Sequence, residues 1–338
     1  MSLFRNAVSI LTVSVVRVPL GLMSSIVLAR YLSVSDRGAY SVLMAFIGLV
    51  ALLSQVGWGQ ASIYRIRRVG VPPSHVATAA ILASLFFSGV SIAICTALRG
   101  WLEARFFSGL GEPAFALALA VIPFQLLAVV FGAIARGLGR FMISNAYQLC
   151  FSASILVAMT LVLAVTHGSL LDALRAYLAI QVVTTLGLMA AVIRHTGLSL
   201  RIRPTELSES LSFGIRSYIQ GIAGQLHERV DVFMLAYLLG DPTPVAFYAI
   251  ATGFITRLKI VPDSVGQALF PQIAGISQER GGALVARVMR HSTFWVASST
   301  MVFACVGPFL IPILYGAEYH ESIEPFIVLL PRMALLKK

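Results

Sequence analysis

The chain has 338 residues, of which 58% are hydrophobic and only 12% charged. Its mean hydropathy of +0.88 and its shortage of charge, against roughly 25% in an average soluble domain, exclude a water-soluble globular protein. A net charge of +11 would suit a nucleic-acid partner, but the placement of that charge, taken up below, excludes one.

Apolar windows of about 20 residues, the length that crosses a ~30 Å hydrocarbon core, recur throughout. They fall near 8–29, 39–60, 76–98, 114–134, 143–165, 173–193, 211–239, 244–270, 292–314 and 323–336, and no soluble domain has room between them. The first is too long for the apolar core of a signal peptide and carries Arg17, so it is read as a retained span. Cys95, Cys150 and Cys305 sit in three different spans without a partner at metal or redox spacing, which makes them packing residues.

With a cytoplasmic N-terminus and alternating spans, the inner loops carry Arg5, Arg65, Arg67, Arg68, Arg136, Arg140, Arg194, Arg201, Arg203, Arg280, Arg287, Arg290, Lys337 and Lys338. The outer loops carry Arg30, Arg37, Arg99, Arg105 and Arg175. This split of fourteen to five follows the positive-inside rule, so the basic charge is a topology signal. No nucleic acid is expected as a partner.

The linker 194–210, "RHTGLSLRIRPTELSES", breaks at Pro204 and then offers a helix-start run. It separates residues 1–208, a first lobe of helices 1–6, from 209–338, a partial second lobe of helices 7–10. Shifted by about 207 residues, "ARYLSVSDRGAYSV" (29–42) aligns with "LAYLLGDPTPVAFYAI" (235–250), "GQA" at 59–61 with "GQA" at 266–268, and Pro123 with Pro331. Such symmetry is common in transporters. A full second lobe would run to about residue 415, so ten of about twelve spans are expected here. The fold class is therefore an all-α polytopic membrane protein of two pseudo-symmetric six-helix lobes, the second truncated.

Nine charges lie inside the spans: Arg17, Arg216, Glu228, Arg229, Asp231, Arg257, Lys259, Asp263 and Arg332. At about 3 kcal/mol each, lipid exposure of all nine would cost on the order of 25 kcal/mol, more than a marginally stable fold tolerates. They must face one another or water. Arg216, Gln220, Gly224, His227 and Asp231 follow helical steps of 4, 4, 3 and 4, and Tyr248, Thr252, Thr256, Lys259 and Asp263 repeat them. Ser14, Arg17, Gly21 and Ser24 form a milder stripe on span one. These stripes predict an aqueous cavity walled by spans one, seven and eight.

Several alternatives stay open. Glu228, Arg229 and Arg257 lie off the stripes and suit either interhelical ion pairs or ion coupling. Arg17 and Lys259 suit a substrate role or neutralisation by Asp231 and Asp263. Arg216 and Arg332 near span ends can snorkel, and His227 is either a proton-coupling or a packing histidine. Six bases against three acids inside the membrane favour an anionic substrate with a phosphate or pyrophosphate head group, which arginine can hold by two parallel hydrogen bonds. Arg17, Arg257, Lys259, Arg216 and Gln220 are its candidate ligands.

No Walker A, HExxH, paired Cys/His set or GxSxG is present, so neither cofactor nor metal is expected, and a transporter is favoured over an enzyme. Glu103 and Glu112 stand nine residues apart on one outer loop. Glu318, Glu321 and Glu324 on another suit a solvated edge better than catalysis.

"LARYLSVSDRGAYSVLMAFIGLVALLSQVGWGQASIYRI" resembles the stretch joining the first two spans in the polysaccharide transporter branch, which includes O-antigen flippases, of the multidrug/oligosaccharidyl-lipid/polysaccharide (MOP) superfamily. "ERVDVFMLAYLLGDPTPVAFYAIA" resembles that family's seventh-to-eighth junction, and "LFPQIA" and "LYGAEYHES" resemble its landmarks after spans eight and nine. The resemblance implies two lobes rocking between inward-open and outward-open states, with a cationic central cavity that Arg17, Arg257 and Lys259 match by position and charge. It implies translocation of a polyprenyl-pyrophosphate-linked oligosaccharide across the bacterial inner membrane for surface polysaccharide or exopolysaccharide synthesis. Membrane lipid, H+ or Na+ as coupling ion, and a polysaccharide polymerase or assembly protein are the further partners it suggests. An ion-coupled drug or cation antiporter of the same superfamily using Glu228 and Asp231, a membrane polymerase or glycosyltransferase, and a scaffold are the alternatives.

Overall fold

The computed structural model describes residues 2–107, 110–199, 204–258, 298 and 300–335; for 2–11, 204–208, 217, 220, 221, 223–225, 227–229, 257, 258 and 332–335 it describes the backbone alone. Within these limits the chain is helical throughout. In order come α1 Ser2–Tyr31, α2 Val34–Ser54, α3 Trp58–Tyr64 with a π-turn over Arg65–Val69, α4 Pro73–Ala97, α5 Arg99–Phe106 and α6 Gly111–Gly137. Then follow α7 Phe141–Met159 with a π-turn over Thr160–Val165, α8 Leu170–Thr196, α9 Pro204–Leu239, α10 Thr243–Leu258, α11 Thr300–Tyr315 and α12 Ile323–Leu335. Six of the helices are long and apolar enough to cross a membrane, as a multi-pass membrane protein requires.

Two starts are written in short side chains. Ser33 Oγ accepts from the Asp36 amide at 3.1 Å to open α2, and Ser169 and Asp172 form a capping box at the start of α8, with Ser169 N donating to Asp172 Oδ2 at 3.0 Å. Ser169→Ala is expected to cost about 1 kcal/mol, read as a fall of roughly 2 °C in the thermal unfolding midpoint.

The single span predicted over 39–60 is two helices. The backbone turns at Val56 (φ 43°) and Gly57 (φ 71°), and α3 packs against α6 and α9. Buried Phe46, Phe107 and Phe115 pack ring on ring between α2, the end of α5 and α6, and α6 packs against α2, α3, α4 and α8. Large apolar side chains such as Phe86, Val157 and Val183 point outward, where lipid replaces water. In the second half Ile250 and Phe254 of α10, Ile311 and Tyr315 of α11, and Phe326 and Leu330 of α12 share one core, against which Leu22 and Ile26 of α1 pack.

The two halves meet at both ends of the bundle. At one end the α1–α2 turn meets the α9–α10 turn so closely that a Cβ on Gly38 would lie 1.8 Å from the Pro242 carbonyl oxygen. Nearby, Arg30 donates from Nε to the Leu314 carbonyl at 2.9 Å and from Nη2 to that of Ile313, and Arg105 sits 5.3 Å over the Tyr237 ring. At the opposite end a Cβ on Gly57 would lie 2.1 Å from the Gly214 carbonyl oxygen. There Tyr64 stacks on Phe213 at 4.0 Å, the Tyr218 hydroxyl donates to the Leu52 carbonyl, and buried Arg65 donates to Ser210 Oγ at 2.8 Å, with Glu209 at 3.7 Å.

Candidate functional site

The long face of α1 lies against α7, and this packing decides what Arg17 meets. Its Nη1 donates to Gln148 Oε1 at 2.5 Å, and Tyr147 on the same turn is close enough to interact with it electrostatically. The guanidinium is exposed in the chain alone, and among the described residues no carboxylate pairs with it. Neutralisation of Arg17 by Asp231 is thus not what the structure shows. The partner is a neutral amide on span five, an element absent from the predicted cavity wall.

Asp231 accepts at Oδ2 from the Tyr248 hydroxyl at 2.7 Å, which brings together one member of each second-half stripe across α9 and α10. The rest of the α10 stripe, where described, is satisfied on its own helix. Thr252 Oγ1 donates to the Tyr248 carbonyl at 2.9 Å and Thr256 Oγ1 to that of Thr252 at 2.6 Å, and on α1 Ser24 Oγ donates to the Leu20 carbonyl at 2.9 Å. Those three hydroxyls need no aqueous wall.

Arg216 is exposed on α9, two residues beyond the Gly57–Gly214 contact. Gln220, His227, Glu228 and Arg229 are described only as α9 backbone, and Arg257 only as α10 backbone; Lys259 and Asp263 lie outside the described residues.

Sequence reasoning missed a chain of uncharged polar groups in the first half. Gln181 Nε2 donates to Thr185 Oγ1 at 3.0 Å and toward Tyr147 Oη at 3.4 Å, and Thr185 Oγ1 donates to the Phe124 carbonyl at 3.3 Å, next to Pro123. Gln181 and Thr185 are fully buried, and Gln181 Oε1 has no partner among the described residues. The available signal was the i,i+4 spacing of Gln181 and Thr185 on span six.

Glu103 and Glu112 pair with an arginine. Hydrogen bonds from Arg99 to Glu112 at 2.7 Å and to Glu103 at 2.8 Å hold the arginine above its ordinary pKa. Glu321 and Glu324 rim an open cleft of about 780 Å³ with His320, Leu235, Phe247 and Tyr248. Among the described residues no cluster of three or more His, Cys, Asp or Glu is placed to hold a metal.

Residues 27–324 match the family model described as "Polysaccharide biosynthesis protein". Among curated proteins, none matches the chain by sequence. Among solved structures, the lipid II flippase MurJ in an inward closed conformation superposes with a TM-score of 0.77 at 13% identity, over 96% of this chain and 72% of that one. An inward-facing multidrug resistance MATE family transporter of the MOP superfamily gives 0.70 at 16% identity, over 96% and 79%. A MOP superfamily transporter from Pyrococcus furiosus gives 0.58 at 14% identity, over 99% and 79%. At such identities the likeness is one of fold, while the family match spans most of the sequence. The chain belongs to the polysaccharide biosynthesis protein family and is built on the all-helical, membrane-spanning fold shared by MurJ and the MATE transporters of the MOP superfamily.

Proposed function

We propose that this protein is a flippase that carries a polyprenyl-pyrophosphate-linked oligosaccharide across the bacterial inner membrane, with the N-terminus in the cytoplasm. The observation that supports it most is Arg17, a cation within a span whose side-chain hydrogen-bond partner is the neutral amide of Gln148. An intramembrane arginine without a carboxylate calls for an anion from elsewhere, and two or three phosphate charges cannot cross hydrocarbon unaided. On this reading residues 1–208 and 209–338 act as two lobes, the head group binds between them at Arg17, Lys259 and Arg257, and the lipid tail stays in the bilayer. Glu228 and Asp231 are the candidates for coupling to H+ or Na+.

The test is the sidedness of lipid-pyrophosphate-linked oligosaccharide in a strain lacking the gene. Confinement to the cytoplasmic leaflet with loss of surface polysaccharide is expected, and equal amounts in both leaflets would overturn the reading. Arg17→Ala and Lys259→Ala, supplied in place of the wild type, are each expected to cut export at least tenfold at unchanged protein level, the scale of one lost charge-assisted contact. Wild-type export by both would remove the cationic cavity from the account.

A further inference from the structure

Arginine has five N–H donors and no acceptor. Because Arg17 is donor-only, the Gln148 amide must present its oxygen to it, and that turns the two Nε2 protons of Gln148 away from the contact. Arg17 keeps four donors beyond the one it gives Gln148. Tyr147 adds a hydroxyl beside them. It accepts from Gln181 Nε2, because the reversed Gln181 amide would orphan two buried protons, a worse outcome than one under-satisfied carbonyl. With its oxygen taken by Gln181, the Tyr147 hydroxyl keeps its own proton to give to an acceptor entering beside Arg17. The acceptors of this cluster, Gln148 Oε1 and Tyr147 Oη, are already engaged by Arg17 and Gln181, so what α1 and α7 have left to offer is donors on a net positive charge, which is the chemistry of an oxyanion site.

We infer that Arg17, Gln148 and Tyr147 form one oxyanion subsite that takes a phosphate or pyrophosphate ester, with Gln148 both orienting the guanidinium and donating to the anion. This inference rests on the flippase reading and extends it from the three cations to two uncharged residues of span five. The buried Gln181–Thr185 pair fixes the Tyr147 hydroxyl from behind, so the subsite is held by four helices, α1, α6, α7 and α8, and moves as one piece with the first half of the chain.

The experiment uses the full chain in lipid nanodiscs, titrated with farnesyl pyrophosphate and, as an uncharged counterpart, farnesol. Wild type is expected to prefer the pyrophosphate. Gln148→Leu is expected to lower that preference about tenfold and Tyr147→Phe about threefold, the scales of a charge-assisted and an ordinary hydrogen bond, with farnesol binding unchanged. Arg17→Ala is expected to lose more. Tyr147→Phe removes a single oxygen and leaves the ring packing, so it carries the test if Gln148→Leu fails to fold. Preference lost in Arg17→Ala but intact in Gln148→Leu and Tyr147→Phe would overturn the subsite while leaving the flippase reading standing. A wild type without preference would overturn both.

Discussion

Gly38→Ala is expected to force apart the end of the bundle where the two halves of the chain meet through their turns. The new methyl carbon would lie 1.8 Å from the Pro242 carbonyl oxygen and 2.6 Å from its carbon, and backbone atoms cannot swing aside as a side-chain tip can. The Pro242 carbonyl also accepts the first hydrogen bond of α10, from the Ala246 amide at 3.2 Å, so moving it unpicks that helix start. The expected loss is about 3 kcal/mol, the upper part of the usual range for overpacking. It is read as a drop of roughly 5 °C in the unfolding midpoint together with faster labelling of a cysteine placed at buried Val245. An unchanged midpoint and unchanged labelling would mean that the close approach of Gly38 to Pro242 is not kept in the membrane.

Gly57→Ala attacks the opposite end through two effects at once. The residue has φ 71°, where a Cβ costs about 1–2 kcal/mol, and the added carbon would meet the Gly214 carbonyl oxygen at 2.1 Å and its Cα at 2.9 Å. Together these amount to about 4 kcal/mol. Gly70 separates the two effects, because it has a similar φ of 75° with nothing within 4 Å of an added Cβ. Gly70→Ala should therefore show the strain alone, about 1 kcal/mol. Equal losses at 57 and 70 would remove the contact with α9 from the explanation. On the proposed transport cycle, in which each end closes in turn, Gly38→Ala favours opening outward and Gly57→Ala favours opening to the cytoplasm. Both should therefore slow export.

The first six spans were legible because a bilayer leaves a helix little choice: 20 apolar residues either cross or aggregate. Hydropathy is blind to φ, however, and the window over 39–60 gave no sign that the chain would turn at Gly57 and start α3 as a separate helix. Charges in spans were legible for the same energetic reason, and so Arg17 and Asp231 stood out while Gln148, the partner of Arg17, did not. Gln148 carries no charge, costs little to insert, and becomes informative only when packing sets it 2.5 Å from Arg17, whereas Tyr248, already part of a stripe, gains a named partner in Asp231 at 2.7 Å. The polar stripes show a degeneracy of another kind. Steps of 4 and 3 describe a cavity wall, but a threonine bonding the carbonyl four residues back has the same spacing, and Thr252 and Thr256 do that.

The bond from Arg30 to the Leu314 carbonyl joins residues 284 positions apart, and this sets a schedule for biogenesis. At a synthesis rate of roughly 5–20 residues per second, some 15–60 s separate the appearance of Arg30 from that of its acceptor. Throughout that interval the guanidinium needs water or lipid phosphate to stand in for the carbonyls, and the glycine surface at Gly38 waits for Pro242. The hairpin of α1 and α2 is made long before its partners, so stalled or slowly inserted chains all display the same unfinished end.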